Sequence, residues 1–329
     1  MKKEYFVLFF FLFIFIIKGK AQGWGGSYER KSFFNLGLLG ICSINGEYNE
    51  ETTNNVSISL FHGSSKNVYG FALAPFNYIE SSMHGLQIGI SNGAMNKVRG
   101  VQIGFANGTA NLKGVQVGVM NMIHSVSGGV QIGFGNYRKS DGLQIGVVNI
   151  ADHNDYPIGI INIIKDGHMN VGMSVDDMSN LIMTFRSGSR YMYGVAGVGY
   201  SFASSLNQWI VEGGIGVHLR ISAGLRLDTE ITAASIGKVY IYVGDTEEAE
   251  WRAKDYDYKN AFRASVRFLP VYRFGKHIEV FGGPSLNYLQ SQCMDNERIF
   301  PSNYIWRKFS PYSLKQMHWG WTAGIQYRF

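Results

Sequence analysis

An eight-residue pattern recurs five times between Gly85 and Asn149, and it limits the chain to architectures built from stacked or paired repeats. The copies read Gly85-Leu-Gln-Ile-Gly-Ile-Ser-Asn92, Gly100-Val-Gln-Ile-Gly-Phe-Ala-Asn107, Gly114-Val-Gln-Val-Gly-Val-Met-Asn121, Gly129-Val-Gln-Ile-Gly-Phe-Gly-Asn136 and Gly142-Leu-Gln-Ile-Gly-Val-Val-Asn149. Worn copies flank them at 70–77 and 155–162, so successive starts step by 15, 15, 14, 15, 13 and 13 residues. Within a copy, Leu86, Ile88 and Ile90 alternate with Gln87, Gly89 and Ser91. That period of two predicts a strand with one apolar and one small polar face. The segments between copies carry Gly, Asn, Ser and Lys, so each unit is a strand followed by a turn. Such a unit cannot bury its own apolar face.

The N-terminus has Lys2 and Lys3, then thirteen apolar or aromatic residues from Tyr5 to Ile17, then Gly19-Lys20-Ala21 before Gln22. These are the three regions of a secretory signal peptide, and the expectation is export with cleavage after Ala21. The run is shorter than the roughly 20 residues of a membrane anchor. Removing residues 1–21 takes away Lys2, Lys3, Lys18, Lys20 and Glu4, so 30 − 4 = 26 basic residues face 24 − 1 = 23 acidic ones. A balance that near to neutral implies no nucleic-acid partner. No later apolar run is long enough for a transmembrane helix, so any membrane insertion must use strands.

At the other end, Trp319, Trp321, Ala323, Ile325, Tyr327 and Phe329 alternate with His318, Gly320, Thr322, Gly324, Gln326 and Arg328. An exposed strand of that kind invites aggregation in water but matches a lipid-facing barrel wall with an aromatic girdle. The final strand resembles the terminal strand of Gram-negative outer-membrane barrels. The resemblance implies that Trp321, Ile325, Tyr327 and Phe329 form the signal read by the barrel-assembly machinery. The octapeptide is similar to the G-[LV]-Q-[IV]-G-x-x-N units of tandem surface-repeat proteins of bacterial outer membranes, over about residues 70–165. That resemblance implies a barrel-like C-terminal section and carries no chemistry.

Between these ends, Phe33–Cys42 and Val56–His62 read as strands around a polar loop at 45–55. After 170 the strand rhythm continues through 181–186, 191–202, 208–217, 221–233, 238–243, 261–268, 277–289 and 318–329. Phe262, Ala264, Val266 and Phe268 alternate with Arg263, Ser265 and Arg267, and Trp209 and Val211 with Gln208 and Glu212. Charges at such positions suit an enclosed polar interior. Two longer segments, 244–260 and 290–317, are the candidate surface loops.

Two architectures fit the repeats. In the first, residues 22–329 form one antiparallel transmembrane β-barrel in which each repeat is a successive strand, with repeats over about 70–165 and a non-repeat section over about 170–329. Its weakness is reach, since eight residues at about 3.3 Å tilted by about 45° cover roughly 19 Å of a roughly 25 Å band. In the second, the repeats coil into a parallel β-solenoid beside a C-terminal barrel. Gln87, Gln102, Gln116, Gln131 and Gln144 would then stack in one ladder, and Asn92, Asn107, Asn121, Asn136 and Asn149 at one corner. The change of apolar phase beside each Asn favours the coil, and the lack of a recognisable cap speaks against it. The single barrel is the reading taken forward, with the solenoid as its alternative.

The eight histidines show no metal-ligand spacing. Only His218 with Glu212, or His318 on the last strand, could join a catalytic group, and no nucleophile accompanies them. No cofactor, metal or catalysis is expected. Cys42 and Cys293 could pair in an oxidising compartment. The expected function is an integral outer-membrane barrel with lipid as its partner, structural or weakly porin-like. The alternative is a surface module that binds an extracellular ligand through the repeats or the long C-terminal loops.

Overall fold

A computed structural model describes residues 30–40, 42–125, 128–202, 208–222, 224–237, 261–291, 300–310 and 313–329. The expected signal peptide, the strand at 238–243, the loop at 244–260 and Cys293 lie outside the described residues. Cys42 is an exposed residue of a two-residue strand, past the end of the apolar strand in which its sequence had placed it.

The first twelve strands are β1 (Arg30–Leu39), β2 (Cys42–Ser43), β3 (Thr52–Ser65), β4 (Asn67–Leu73), β5 (Phe76–Ile79), β6 (Ser82–Ile88), β7 (Ser91–Ile103), β8 (Ala106–Ile123), β9 (Val130–Arg138), β10 (Leu143–Ala151), β11 (Pro157–Ile158) and β12 (Ile161–Ile164). Apart from β2, which runs antiparallel to β1, they pair in parallel. Each residue meets its equivalent one repeat later, as in Gln87↔Gln102, Gln102↔Gln116 and Gln131↔Gln144. The repeats are therefore coils of a solenoid and not successive antiparallel strands of a barrel, which overturns the favoured sequence reading and the single-barrel extent of 22–329.

The reason lies in the glycines. Gly100 and Gly114 have φ of 140° and 150°, where L side chains are strained. A Cβ on Gly114 would also lie 1.9 Å from the Gly100 carbonyl oxygen of the preceding coil. Adjacent coils thus approach at a distance only glycine allows.

The remaining strands are β13 (His168–Asp176), β14 (Asn180–Gly188), β15 (Met192–Ser201), β16 (Gln208–Arg220), β17 (Leu225–Gly237), β18 (Ala261–Phe274), β19 (Ile278–Ser291), β20 (Trp306–Ser310) and β21 (Ser313–Arg328). Eight of them, β13 to β19 and β21, pair antiparallel in order, and β21 returns to β13 through Asn170↔Arg328 to Asp176↔Thr322. The sheet is closed, which removes its edges. β20 adds to the outer part of β21 inside the long segment expected to be a loop. Ile221 and Ser222 do not extend β17 as their alternation suggested; their backbone N–H groups donate to the Leu225 carbonyl and close a turn.

One end of the barrel has short connections at 188–192, 220–225 and 274–278 together with the C-terminus, and the other carries the long connections. The solenoid abuts the outer wall near the short-turn end. The Asn162 backbone N–H donates to Ser187 Oγ at 3.0 Å, and Ser189 Oγ donates to the Asp155 carbonyl at 2.8 Å. The Ile160 carbonyl lies where a Cβ on Gly194 would sit. The cap missing from the sequence of the repeats is the barrel wall itself.

Candidate functional site

The repeat residues singled out by the sequence come together as two hydrogen-bonded ladders inside the solenoid. Gln87, Gln102, Gln116, Gln131 and Gln144 are each 0% exposed. Gln102 Nε2 donates to Gln87 Oε1 at 2.8 Å, Gln116 to Gln102 at 2.8 Å, Gln131 to Gln116 at 3.0 Å and Gln144 to Gln131 at 3.1 Å. Asn154 Nδ2 closes that chain on Gln144 Oε1 at 2.7 Å. The asparagines run the other way: Asn77 donates to Asn92, Asn92 to Asn107, Asn107 to Asn121, Asn121 to Asn136, Asn136 to Asn149 and Asn149 to Asn162, at 2.8–2.9 Å. Each amide from Asn77 to Asn149 also donates to a carbonyl of the next coil, as Asn107 Nδ2 does to Val117 at 2.9 Å, and Asn162 donates to the Gly159 carbonyl of its own coil. Fully paired amides of this kind reinforce one another in a low-dielectric interior. Being buried, none of them is available to a ligand, so the repeats cannot bind through their Gln or Asn faces.

The outer surface beside these amides is apolar. Ile90, Phe105, Val119 and Phe134 crown the corner between the two strands of successive coils, with Phe105 54% and Phe134 60% exposed. The opposite edge of each coil reverses the arrangement, with Lys97, Lys113 and Lys139 outside and Val68, Met83, Val98 and Leu112 packed inside.

The barrel has the same polarity by a different chemistry. Trp209, Val211, Ile231, Phe262, Trp319, Trp321, Ile325 and Tyr327 face outward, while Glu212, Glu230, Arg263, Arg267, His318 and Gln326 are buried inside. This is the alternation expected of β21. Asp176, Glu212 and Glu230 oppose Arg186, Arg263 and Arg267 in one network. Arg263 Nη1 reaches Asp176 at 2.6 Å, Arg267 Nη1 donates to Glu212 at 2.8 Å, and Arg186 Nε donates to Glu230 at 2.7 Å. Tyr193 Oη donates to Glu230 at 3.0 Å. Toward the long-loop end the interior is closed by Met178, Ile182, Ile210, Ile236, Leu289, Phe300 and Leu314. An eight-stranded barrel has room for side chains and little else, and here they fill it.

The short-turn end opens into a cup of about 300 Å³ lined by His168, Arg190, His218, Arg220, Arg226, Arg273 and Arg328. Arg226 donates to both Glu279 oxygens at 2.7 Å and to Asp228 at 2.9 Å. Arg273 donates to Glu279 at 3.0 Å, and Arg190 to Asp155 at 3.2 Å. Four of the five arginines therefore pair with three carboxylates, Arg328 lying 3.7 Å from Glu279, and Arg220 has no ion pair among the described residues. A guanidinium-rich cup of this kind favours small anions that accept bidentate hydrogen bonds. Sequence reading missed it because its arginines come from five elements.

The combination of His218 with Glu212 does not form. His218 is 2.7 Å from Asp228 and stacks on Tyr193 at 4.2 Å, whereas Glu212 serves Arg263 and Arg267. His318 lies 3.4 Å from Asp177 and 3.3 Å from Asn287. Asp141, His153 and Asp155 bring three potential metal-ligand atoms within 4.8 Å of one another. His153 is already bonded to Asp166 and 3.5 Å from Asp141, so the group reads as an ion-pair knot. The Asp166 carboxylate holds the His153 imidazole above its usual pKa.

No family model and no curated protein matches the chain. Among solved structures, a chain described as a de novo designed transmembrane β-barrel is similar at 12% identity with a TM-score of 0.26. The match covers 49% of this chain and 93% of that one.

Proposed function

We propose that the chain is an exported integral outer-membrane protein, anchored by its eight-stranded barrel and without catalysis. The observation that carries this reading is the polarity of the closed wall: ion pairs and amides inside, aliphatic and aromatic side chains outside at positions such as Ile231, 60% exposed, and Trp319, 54% exposed. Buried in water, that exterior would be a continuous sticky surface; in lipid it is solvated. The filled interior supports an anchoring role over the weakly porin-like one. Trp321, Ile325 and Tyr327 on β21, with Phe329 directly after it, are the residues we assign to recognition by the barrel-assembly machinery.

The test is fractionation followed by gel migration. The mature protein should extract only with detergent and run faster unheated than boiled. Recovery as a water-soluble monomer with one mobility would refute the assignment. Planar bilayers should show no discrete conductance steps, and regular openings would restore the pore.

One observation favours a second role at the long-loop end. Tyr304, Ile305, Trp306 and Phe309 are all exposed around β20. Such an aromatic patch suits capture of an extracellular ligand. Replacing Tyr304, Trp306 and Phe309 with Ser should abolish surface binding without changing assembly; undiminished binding would remove this role.

A further inference from the structure

The outward polarity of the solenoid is distributed in a way that relates it to the barrel wall. Its apolar corner, represented by Ile90, Phe105, Phe134 and Ile160, runs along one side of the stack. Its charged edge, with Lys97, Lys113, Lys139 and Lys165 beside Glu80, Asp152 and Asp166, runs along the other. At the last coil both sides are registered on the barrel. Asp155, from the charged edge, is bound by Arg190 and Ser189 in the β14–β15 turn at the short-turn end. Ile160, from the apolar corner, lies over Gly194 and Gly213, and Gly213 is midway along β16. The coils behind this one stack Gln on Gln and Asn on Asn, which carries both sides along the stack.

The dimensions agree. From Val115 to Val119, within β8, the outward apolar stretch is four strand steps, about 13 Å at about 3.3 Å per residue. Half of a hydrocarbon core of about 25–30 Å is about 12–15 Å. A corner at mid-barrel height and a lysine edge level with the short turns therefore match the middle and the headgroup boundary of one leaflet. Beyond Ile160 the barrel wall continues as an apolar hollow formed by Met183, Val198, Val211 and Phe262, so the two apolar surfaces are contiguous.

We infer that the solenoid is a lateral arm immersed in the bilayer leaflet on the short-turn side, with its apolar corner pointing to the midplane and its lysine edge at the phospholipid headgroups. The inference rests on the barrel being membrane-inserted. The amide ladders make it physically consistent: they satisfy every repeat Gln and Asn internally, so none of these amides is left to face the acyl chains.

The test uses the full mature chain in vesicles of phosphatidylethanolamine and phosphatidylglycerol. Nitroxide labels are placed one at a time by Phe134→Cys, Phe105→Cys, Lys113→Cys and Ile231→Cys in a Cys42→Ser, Cys293→Ser background. Collision rates with oxygen and with a water-soluble nickel chelate are then compared. Ile231 on the barrel wall is the control for insertion. The expected result is a several-fold higher oxygen-to-nickel ratio at Phe134 and Phe105 than at Lys113, close to the Ile231 value. Nickel access at Phe134 and Phe105 with lipid values at Ile231 would overturn the leaflet arm and leave the barrel anchor intact. Nickel access at all four sites would overturn both. Using two corner sites guards against one label disturbing the fold, since one folded variant suffices for the reading.

Discussion

The solenoid and the barrel solve one problem with different means. Both walls are strands whose polar side chains turn inward and whose apolar side chains turn outward over much of the surface. In the solenoid, identical residues lie one coil apart, so an amide always meets an amide and donors align head to tail. In the barrel, neighbouring strands run antiparallel and bring unlike residues together, so Arg267 meets Glu212 and Arg186 meets Glu230. A repeated charge would stack on itself in a parallel coil and repel; an amide carries donor and acceptor on one group and tolerates its own copy. The comparison shows why the repeat is built on Gln and Asn and the non-repeat half on Arg and Glu.

The largest expected effect breaks the solenoid alone. Gly114→Val places a branched side chain at a φ of 150° and within the space of the Gly100 carbonyl. Strain and overpacking together cost about 3 kcal/mol or more. Protease cleavage between 95 and 140 should rise sharply while the unheated gel mobility of the barrel is kept. Loss of both would show that the two units fold as one.

The reciprocal variant, Glu212→Ala, strips Arg267 of its shortest partner and leaves Arg263 with Asp176 only. Uncompensated buried charge costs about 3–5 kcal/mol. The midpoint of the heat-induced gel shift should fall, with the protease pattern of the repeats unchanged. Adding Arg267→Met should recover part of the loss, and an additive double variant would argue against a coupled network.

A smaller loss follows from Asn107→Leu, which removes the link between Asn92 and Asn121 and the bond to Val117. Leaving buried amides unsatisfied costs about 1–3 kcal/mol. The effect should appear as local hydrogen-exchange protection lost in β7 and β8, and normal protection there would mean the ladder adds little.

The least effect concerns His153, on the charged edge near the junction. Its pKa is raised chiefly by the hydrogen bond with Asp166, so the stabilisation is present below the ordinary histidine value near 6.5 and is lost as pH rises through the raised value. Protease protection around 153–166 should weaken from mildly acidic to alkaline pH, and His153→Gln should flatten that dependence. The group is largely exposed, so the change is small.

How much of this was readable differs along the chain. Strand faces were legible: Arg263 and Arg267 lie inside and Phe262 and Phe268 outside, as their alternation required. β13 was also readable from Val171, Met173 and Val175 against Gly172, Ser174 and Asp176, with the turn pair Asp166-Gly167 directly before it, but it follows the fading repeat. The ladders were foreseen only within the alternative architecture. The cup and the Arg186–Glu230 pair were not legible, because partners 44 residues apart meet only after the barrel closes.

The amino-acid sequence by itself determined that the chain is built of strands, which side of each is polar, and that one block repeats while the other does not. These are local properties, set by a side-chain period of two. Whether neighbouring strands run parallel or antiparallel was decided only by the tertiary structure, since alternation is the same in both. There the φ of Gly100 and Gly114 and the amide-to-amide bonds select the coil, and β21 returning to β13 selects the closed wall.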